Sequence, residues 1–487
     1  MTTTPSGRYV WRSLLPFSAE TVFRWHEQPG ALERMIPPWE PVLSVQKTGG
    51  IANGDQVTLR FRLGPVPLSW WVEHQGFVSG VQFQDVQRRG PFKHWRHTHH
   101  LQPQPNHPPQ ASECWLTEAI DYALPLEPLS TWVADALVQR KLNRMFRYRH
   151  RVLQQDLTLH QRYQHMGSMR VAVSGSHGLI GQALCALLQS GGHAVTRLQR
   201  VGGSACTKTR TKEETASPHI HWNPAQGLID QDALEGLTAV VHLAGEPILA
   251  KPWTPAQQQT LLNSRIHSTQ LLAETLSRLK QPPKTLIVAS AVGYYGTGYP
   301  QPATEETPAG SGFLAEMAQA WEAASQAAQA AGIRVIHLRL GAVLSPKGGM
   351  LKQLLPIFAL GGGGPLSNGL HRTSWISLDD AIGAIYHALA TESLAGPVNV
   401  VAPQILTNAD WSRTLGRVLR RPAVLPAPRF ALEAVFGKTR CQELLLADQP
   451  ASPQKLIDSG YSFQFPQLEE ALKHLLGIED TLDAWMP

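Results

Sequence analysis

The sequence predicts an α/β protein with a doubly wound parallel sheet over its C-terminal two-thirds, preceded by an α+β unit of antiparallel strands and a long closing helix. Three observations carry the prediction. From residue 169 onward, short apolar segments alternate with helical stretches, the succession that builds a parallel sheet with helices on both faces. The first of these segments stops at glycines spaced three apart, Gly175, Gly178 and Gly181. Before residue 155 the texture changes to strands that alternate polar and apolar residues, as in a sheet with one wetted face.

Arg170-Val171-Ala172-Val173-Ser174 is a short apolar segment with the β-branched residues of a buried strand. Gly175-Ser176-His177-Gly178-Leu179-Ile180-Gly181 follows, and residues 182–189 continue as a helix with Leu184, Leu187 and Leu188 on the apolar side. Each glycine has a mechanical role. The first permits the tight turn, the second lets the backbone approach a pyrophosphate, and the third lets the helix pack on the strand. The phosphate then sits at the helix N-terminus, where free N–H groups and the dipole favour an anion. Gly191-Gly192-His193 turns the chain, Ala194-Val195-Thr196-Arg197-Leu198 forms the second strand, and the strand ends at Gln199-Arg200. An NAD site usually carries an acid at that place to hold the ribose 2′-hydroxyl. A guanidinium suits a 2′-phosphate by charge and fork geometry, so the reading is a Rossmann-type site for NADP (NADPH). The alternative leaves Arg200 as a solvated strand end.

The series continues past a polar Thr/Lys-rich stretch, Cys206 to Ser217, read as a surface loop. The apolar strand Ala239 to Leu243 runs into Ala244-Gly245-Glu246-Pro247, a turn that would face the cofactor at the carboxyl edge of the sheet. A helix over Gln257 to Lys280 carries Ser264-Arg265, and a strand over Thr285 to Ser290 leads to Gly293-Tyr294-Tyr295-Gly296. A helix over Phe313 to Ala331 and a strand over Val335 to Leu340 complete the alternation.

In the N-terminal third, Ala19 to Trp25 reads as a short helix, and Pro29 to Pro41 is broken by prolines. Val57 to Leu63, Leu68 to Glu73, Val81 to Val86 and Trp115 to Ile120 read as strands, and Leu129 to Leu153 as a long amphipathic helix. His94, His97, His99 and His100 suggest a metal, but on a strand only His97 and His99 share a face. Two ligands with no carboxylate or cysteine beside them make a poor site. The sequence therefore predicts no metal, with these imidazoles at the surface or at a cavity rim. Gln102 to Gln110 reads as a polar, proline-rich loop and Gln154 to Ser168 as the interdomain linker.

Composition sets the outer bounds. At about 100–200 residues per domain, 487 residues hold two or three domains, and a hydrophobic content of 43% is ample for their cores. A net charge of +6 is a mild excess over this length. Its local concentration, Arg140, Lys141, Arg144, Arg147, Arg149 and Arg151, reads as a solvated helix face rather than a nucleic-acid surface. Cys114, Cys185, Cys206 and Cys441 are too scattered for a zinc site or a disulfide framework. No run reaches transmembrane length and Met1 to Arg12 lacks a signal core, which predicts a cytoplasmic protein.

Two resemblances extend these readings. The early helix, antiparallel strands and long final helix of residues 8–155, with Pro16 to Phe23 and Gly90 to His97, resemble the START or polyketide-cyclase-like superfamily. That resemblance implies a helix-grip domain with a cavity for an apolar ligand. The second rests on Gly175-x-x-Gly178-x-x-Gly181, Leu243 to Pro247, Asn263-Ser264-Arg265, Ser290 to Gly296, Trp321-Glu322, Arg339 to Leu344, Gly361 to Leu366, Trp375 to Asp380, and the ending from Arg429 to Leu476. These resemble an atypical subgroup of extended short-chain dehydrogenases/reductases, the nucleoside-diphosphate-sugar-epimerase-like proteins. The organisation implied is 8–155 for the first domain, 156–168 for a linker, 169–400 for the NADP-binding domain, and 401–487 for a small family-specific domain on the substrate side.

Carried over position by position, the resemblance implies cofactor contacts from Gly175, Ser176, His177, Gly178, Leu179, Ile180 and Gly181. It adds Gln199 and Arg200, then Leu243, Ala244 and Gly245, then Arg265, and Ala342 near the nicotinamide. The catalytic pattern departs from the family. Short-chain dehydrogenases pair a Tyr with a Lys four residues later, which lowers the phenol's pKa for proton exchange. This chain has Phe313 and Met317 there. Ser290 and Tyr294 are the catalytic candidates, with Tyr295, Glu316 and Glu322 behind them, and both tyrosines also read as cleft wall. The primary expectation is an NADP(H)-dependent oxidoreductase or epimerase-like protein acting on a carbonyl/alcohol pair of a small or lipophilic substrate. The alternative is a non-catalytic NADPH-responsive binding or regulatory protein. An epimerase that transiently oxidises a nucleotide sugar is a third reading.

Overall fold

The computed structural model describes residues 7–64, 66–104, 113–125, 131–201 and 219–478. Contacts divide the chain into two compact units, one of residues up to 164 with 189–192, the other of 165–188 with 193–478. In the first, the order is β1 (Gly7–Leu15), α1 (Ala19–Glu27), α2 (Ala31–Met35), β2 (Val42–Thr48), β3 (Gln56–Leu63), β4 (Val66–Val78), β5 (Gln82–Arg89), β6 (His94–Pro103), β7 (Cys114–Ala123) and α3 (Thr131–Tyr163). The strands form one antiparallel sheet in the order β1-β7-β6-β5-β4-β3-β2. Ser18 starts α1 by accepting the Thr21 N–H, and the helix buries Val22, Phe23 and Trp25. These pack with Phe83, Leu101, Leu116 and, from α3, Leu153 and Leu157.

Two sequence expectations change here. The stretch from Gln154 to Ser168, read as the interdomain linker, continues α3 as far as Tyr163. Its polar composition hides two anchors. Leu157 is in the core, and Asp156, buried, takes a paired hydrogen bond from the Arg34 guanidinium at 2.8 and 2.8 Å. His97 and His99, expected at a surface or rim, are instead buried, and both Asp85 and Glu118 lie beside them. The carboxylates come from neighbouring strands, a proximity that spacing along β6 does not reveal. The basic stripe of α3 is partly engaged: Arg149 donates to the Met35 carbonyl, Arg144 lies over the Trp39 ring and Lys141 pairs with Glu40.

The second unit begins with β8 (Arg170–Ser174), α4 (Leu179–Ser190), β9 (Ala194–Arg200), β10 (His219–Asn223), β11 (Leu228–Ile229) and β12 (Ala239–His242). It continues with α5 (Pro255–Ser277), β13 (Thr285–Ala291), α6 (Phe313–Ala323), α7 (Gln326–Ala330) and β14 (Arg334–Leu340). Then come β15 (Ala342–Leu344), α8 (Gly349–Ala359), β16 (Arg372–Thr373), β17 (Trp375–Ser377), α9 (Leu378–Ala390) and β18 (Gly396–Val400). The main sheet runs β11-β10-β9-β8-β12-β13-β14-β18, parallel apart from β11. The strand order reverses between β8 and β12, which makes the crevice above their carboxyl ends the place where a doubly wound sheet binds ligand. Cys206 to Ser217 and most of Gln102 to Gln110 lie outside the described residues. Among the described residues no helix is long and apolar enough to cross a membrane, and Cys114, Cys185 and Cys441 are buried thiols.

The last described part of the chain comprises β19 (Leu406–Thr407), α10 (Asn408–Leu419), α11 (Arg429–Phe436), α12 (Lys438–Arg440), α13 (Gln454–Asp458) and α14 (Leu468–Leu476). Trp411, Leu415, Phe465, Leu468 and Leu472 share one apolar cluster with Leu344, Phe358 and Trp375. Asp380, the first-turn partner of the Ser377 cap, accepts the N–H groups of Gln464 and Phe465 and a hydrogen bond from the Tyr461 hydroxyl.

The glycine turn supplies a test. A Cβ at position 181 would lie 2.2 Å from the Gly175 carbonyl oxygen, whereas one at 178 meets only that oxygen, at 3.1 Å. Gly181→Ala is expected to lose about 2 kcal/mol by overpacking, and Gly178→Ala clearly less, in urea unfolding of the two variants.

Candidate functional site

Backbone crowding shapes the crevice. Gly175 has φ +68°, and a Cβ there would stand 2.7 Å from the Leu243 carbonyl carbon and 2.8 Å from the Ala244 nitrogen. The end of β8 therefore lies directly on the turn that leaves β12, and only glycine tolerates both the conformation and the approach. Ser176 points inward and is buried, while His177 and Gly178 face outward at the start of α4. Leu179, Ile180 and Gly181 form the first turn of that helix, where N–H groups have no intrahelical acceptor.

A hydrogen-bonded chain fixes the β12 turn. The Ser174 hydroxyl oxygen accepts the N–H groups of Leu243 and Ala244 at 3.2 and 3.4 Å, so its own hydrogen goes to His242 Nδ1, 2.6 Å away. His242 Nε2 then carries the ring proton and donates to Ser268, 3.0 Å away on α5. Burial pushes the imidazole pKa down to about 3, which keeps the ring neutral. From the same helix, Ser264 accepts the Glu246 N–H, and Arg265 donates to the Glu246 and Leu261 carbonyls. The Arg265 guanidinium is buried beside Gly245 and over the Trp321 ring, with its pKa drawn down to about 10 by desolvation.

The ends of β13 and β14 carry a second network. Ser290 donates to Glu322 Oε1 at 2.7 Å. Arg339 grips both oxygens of the same carboxylate, at 2.9 and 2.9 Å, and also donates to the Tyr295 hydroxyl at 3.0 Å. That hydroxyl donates in turn to Asn399 Oδ1 on β18, and burial pushes its pKa up to about 12. The Arg339 guanidinium stands 3.4 Å above the centre of the Tyr294 ring. Tyr294 itself is half-buried, and among the described residues its hydroxyl makes no hydrogen bond to protein.

At the place of the absent Tyr and Lys, Phe313 and Met317 pack with Trp253, Leu261, Leu262, Leu314 and Leu444. The α6 N-terminus is closed from far along the chain, since Glu443 accepts the Leu314 N–H at 2.9 Å. Ala342 donates its N–H to the Ser374 carbonyl at the crossing after β14. Gln199 and Arg200 are exposed at the end of β9, the strand next to β8.

Residues 171–401 match the model of the NAD dependent epimerase/dehydratase family, and residues 427–475 match a domain of unknown function, DUF1731. An epimerase family protein of Mycobacterium bovis, Mb2239, is 40% identical over 307 residues, 63% of this chain and 97% of that protein. The chain belongs to the NAD dependent epimerase/dehydratase family. Two family structures resemble it. The crystal structure of a nucleoside-diphosphate sugar epimerase from Corynebacterium glutamicum has a TM-score of 0.77 at 30% identity, covering 96% of this chain and 90% of that one. Human SDR39U1 isoform 2, solved with NADPH, has a TM-score of 0.55 at 35% identity, over 63% of this chain and 99% of that one.

Within this epimerase-family unit, the structure gathers Gly175 to Gly181, Leu243 to Gly245 and Arg265 at one strand crossing, and Ser290 and Tyr294 at the next strand end. Ser290 is not presented to the crevice as a free hydroxyl, because Glu322 takes its proton. The Ser174–His242–Ser268 chain and the Arg339–Asn399 links escaped the sequence reading. Their only linear signal is polar residues inside otherwise apolar strands, at 242, 339 and 399. Removing the guanidinium would leave Glu322 only 12% exposed and without its counter-charge. Arg339→Met is expected to lower the unfolding free energy by about 3 kcal/mol, and Tyr295→Phe by about 1 kcal/mol, both measured by urea denaturation.

Proposed function

We propose that the C-terminal unit binds NADPH and catalyses hydride exchange with a carbonyl/alcohol pair of a small or lipophilic substrate. The observation that carries this reading is the side-chain-free backbone crossing of Gly175 and Gly181 beneath an outward-facing Gly178, at the point where the strand order reverses. A tight glycine turn with an exposed Gly178 at a helix N-terminus leaves the backbone open to a pyrophosphate. The human relative solved with NADPH supports the choice of cofactor. Arg200, exposed one strand away, supplies charge for the 2′-phosphate. The cofactor's chemistry is hydride transfer at its nicotinamide. The chain's part is to hold Leu243 to Glu246 rigid through Ser174, Ser264 and Arg265, and to bring a proton donor to the substrate oxygen. Tyr294 is that donor, because Ser290 and Tyr295 have committed their protons to Glu322 and Asn399. In reduction, the carbonyl carbon takes the hydride and the oxygen takes the Tyr294 proton, which water restores.

The N-terminal unit, from its order of strands and its long final helix, is assigned as a START/polyketide-cyclase-like helix-grip domain that captures or presents an apolar ligand. A second reading of the whole is a non-catalytic NADPH-responsive regulatory protein. The packing of Phe313 and Met317 into an apolar cluster favours it.

Calorimetry with NADPH and NADH tests the first step. Arg200→Ala is expected to weaken NADPH binding about tenfold to a hundredfold and to leave NADH nearly unchanged. Equal binding of the two nucleotides by the natural chain would overturn the NADPH assignment. With NADPH and a panel of carbonyl substrates, Tyr294→Phe is expected to lower kcat by about 10²-fold or more without changing NADPH affinity. Turnover that appears only in the Phe313→Tyr, Met317→Lys double variant would decide for the regulatory reading.

A further inference from the structure

The N-terminal unit concentrates ionisable side chains in its interior. His74 on β4 stands opposite Asp85 on β5, Asp85 opposite His97 on β6, and His99 on β6 opposite Glu118 on β7. His26 reaches the same place from α1, and His150 from α3 comes within 3.7 Å of Glu118 Oε1. All five histidines are buried, and Glu118 is wholly inaccessible to solvent. Such a group is costly to bury unless every polar atom finds a partner.

Several do not. His26 Nε2, His99 Nδ1, Glu118 Oε1 and both nitrogens of His150 are buried without a hydrogen bond. Close approach is not what they lack, since His99 Nδ1 is 2.7 Å from Glu118 Oε2. The two form a close ion pair whose geometry is bent away from the ring N–H direction. The opposite nitrogens are the ones that are held. His26 Nδ1 donates to the Val22 carbonyl at 2.8 Å, and His99 Nε2 donates to Asp85 Oδ2 at 3.3 Å. For His26 this leaves the Nε2 lone pair turned inward, while His99, which burial would discharge but Glu118 and Asp85 hold protonated with a pKa raised to about 9, would give up its Nδ1 proton to a metal; in both, a carbonyl or a carboxylate orients the imidazole as it does a metal-bound one. Glu118 is steadied in the same way by His97 Nε2, which donates to its Oε2 at 2.9 Å. One donor atom each from His26, His99 and Glu118 lies within 4.8 Å of the other two.

We propose that His26, His99 and Glu118 form a binding site for one divalent transition-metal ion, with Val22 and Asp85 as the groups that orient the imidazoles and His150 as an adjacent fourth donor. Two imidazoles and a carboxylate suit zinc or ferrous iron rather than calcium or magnesium, and they leave a coordination position for an oxygen ligand. Along β6 alone only His97 and His99 share a face. The carboxylate and the second imidazole of this set come from β7 and α1.

The full-length chain, stripped with chelator, is dialysed against zinc sulfate or cobalt chloride and analysed for metal content, cobalt absorption and thermal midpoint. The expected result is one ion per chain, a visible cobalt band of low-coordinate nitrogen/oxygen type, and a higher midpoint with metal. His26→Asn and Glu118→Gln are each expected to weaken binding by about a hundredfold or more, with circular dichroism reporting the fold, while His74→Asn keeps the ion. A folded natural chain that takes up neither metal overturns the proposal. So does uptake that survives in folded His26→Asn and Glu118→Gln, which would place the ion elsewhere. If both variants unfold, stoichiometry and the cobalt spectrum of the natural chain decide alone.

Discussion

The close approach of β8 to the turn after β12 is the constraint on which the C-terminal unit depends. At this crossing a Cβ on Gly175 would overlap the main chain of Leu243 and Ala244, and one on Gly181 would overlap the Gly175 carbonyl. Two glycines thus set the spacing of a strand, a turn and a helix at once. The polar groups that this crowding strands are then recovered by Ser174, whose single hydroxyl serves two N–H groups and His242. A rigid floor for an anion follows from satisfying the backbone at the place where side chains cannot fit.

Next to that floor, charge is used for architecture. Glu322 and Arg339 neutralise each other, take up the Ser290 hydroxyl and hold Tyr295 against Asn399, so that three adjacent strands are tied at their carboxyl ends. Tyr294 alone among these groups keeps an uncommitted hydroxyl among the described residues. In the N-terminal unit the same chemical types are arranged differently, with imidazoles bridging the buried Glu118 and the partly buried Asp85 and several nitrogens left over. One arrangement closes its hydrogen bonds and the other leaves them open. That contrast separates a structural network from a candidate ligand site.

Much of this was legible from the chain because it is local. The glycine spacing, the β-branched strand before it and the Ser-Arg pair at 264 and 265 are short-range patterns, and each reappears as a turn, a strand or a helix face at those residues. The strands over Val57 to Leu63 and Trp115 to Ile120 likewise follow from alternation. What was not legible is pairing across the sheet. His97 and His99 read as imidazoles at a surface or cavity rim because Asp85 and Glu118 are distant in sequence, and Gln154 to Tyr163 read as part of an interdomain linker because the Arg34 partner of Asp156 lies 122 residues earlier. Ser290 read as an available hydroxyl because Glu322 reaches it only through the neighbouring helix.

The capping of α6 has a consequence for how the protein is made. The helix bearing Phe313 has its first turn closed by Glu443, and Asp380 on α9 completes its set of donors only with Tyr461, Gln464 and Phe465. During synthesis the parallel strands emerge first, yet these two helices await residues that leave the ribosome roughly a hundred positions later. The crevice side of the unit is therefore finished last, and a chain arrested before residue 443 would carry its glycine turn on a sheet whose α6 and α9 still lack their last partners.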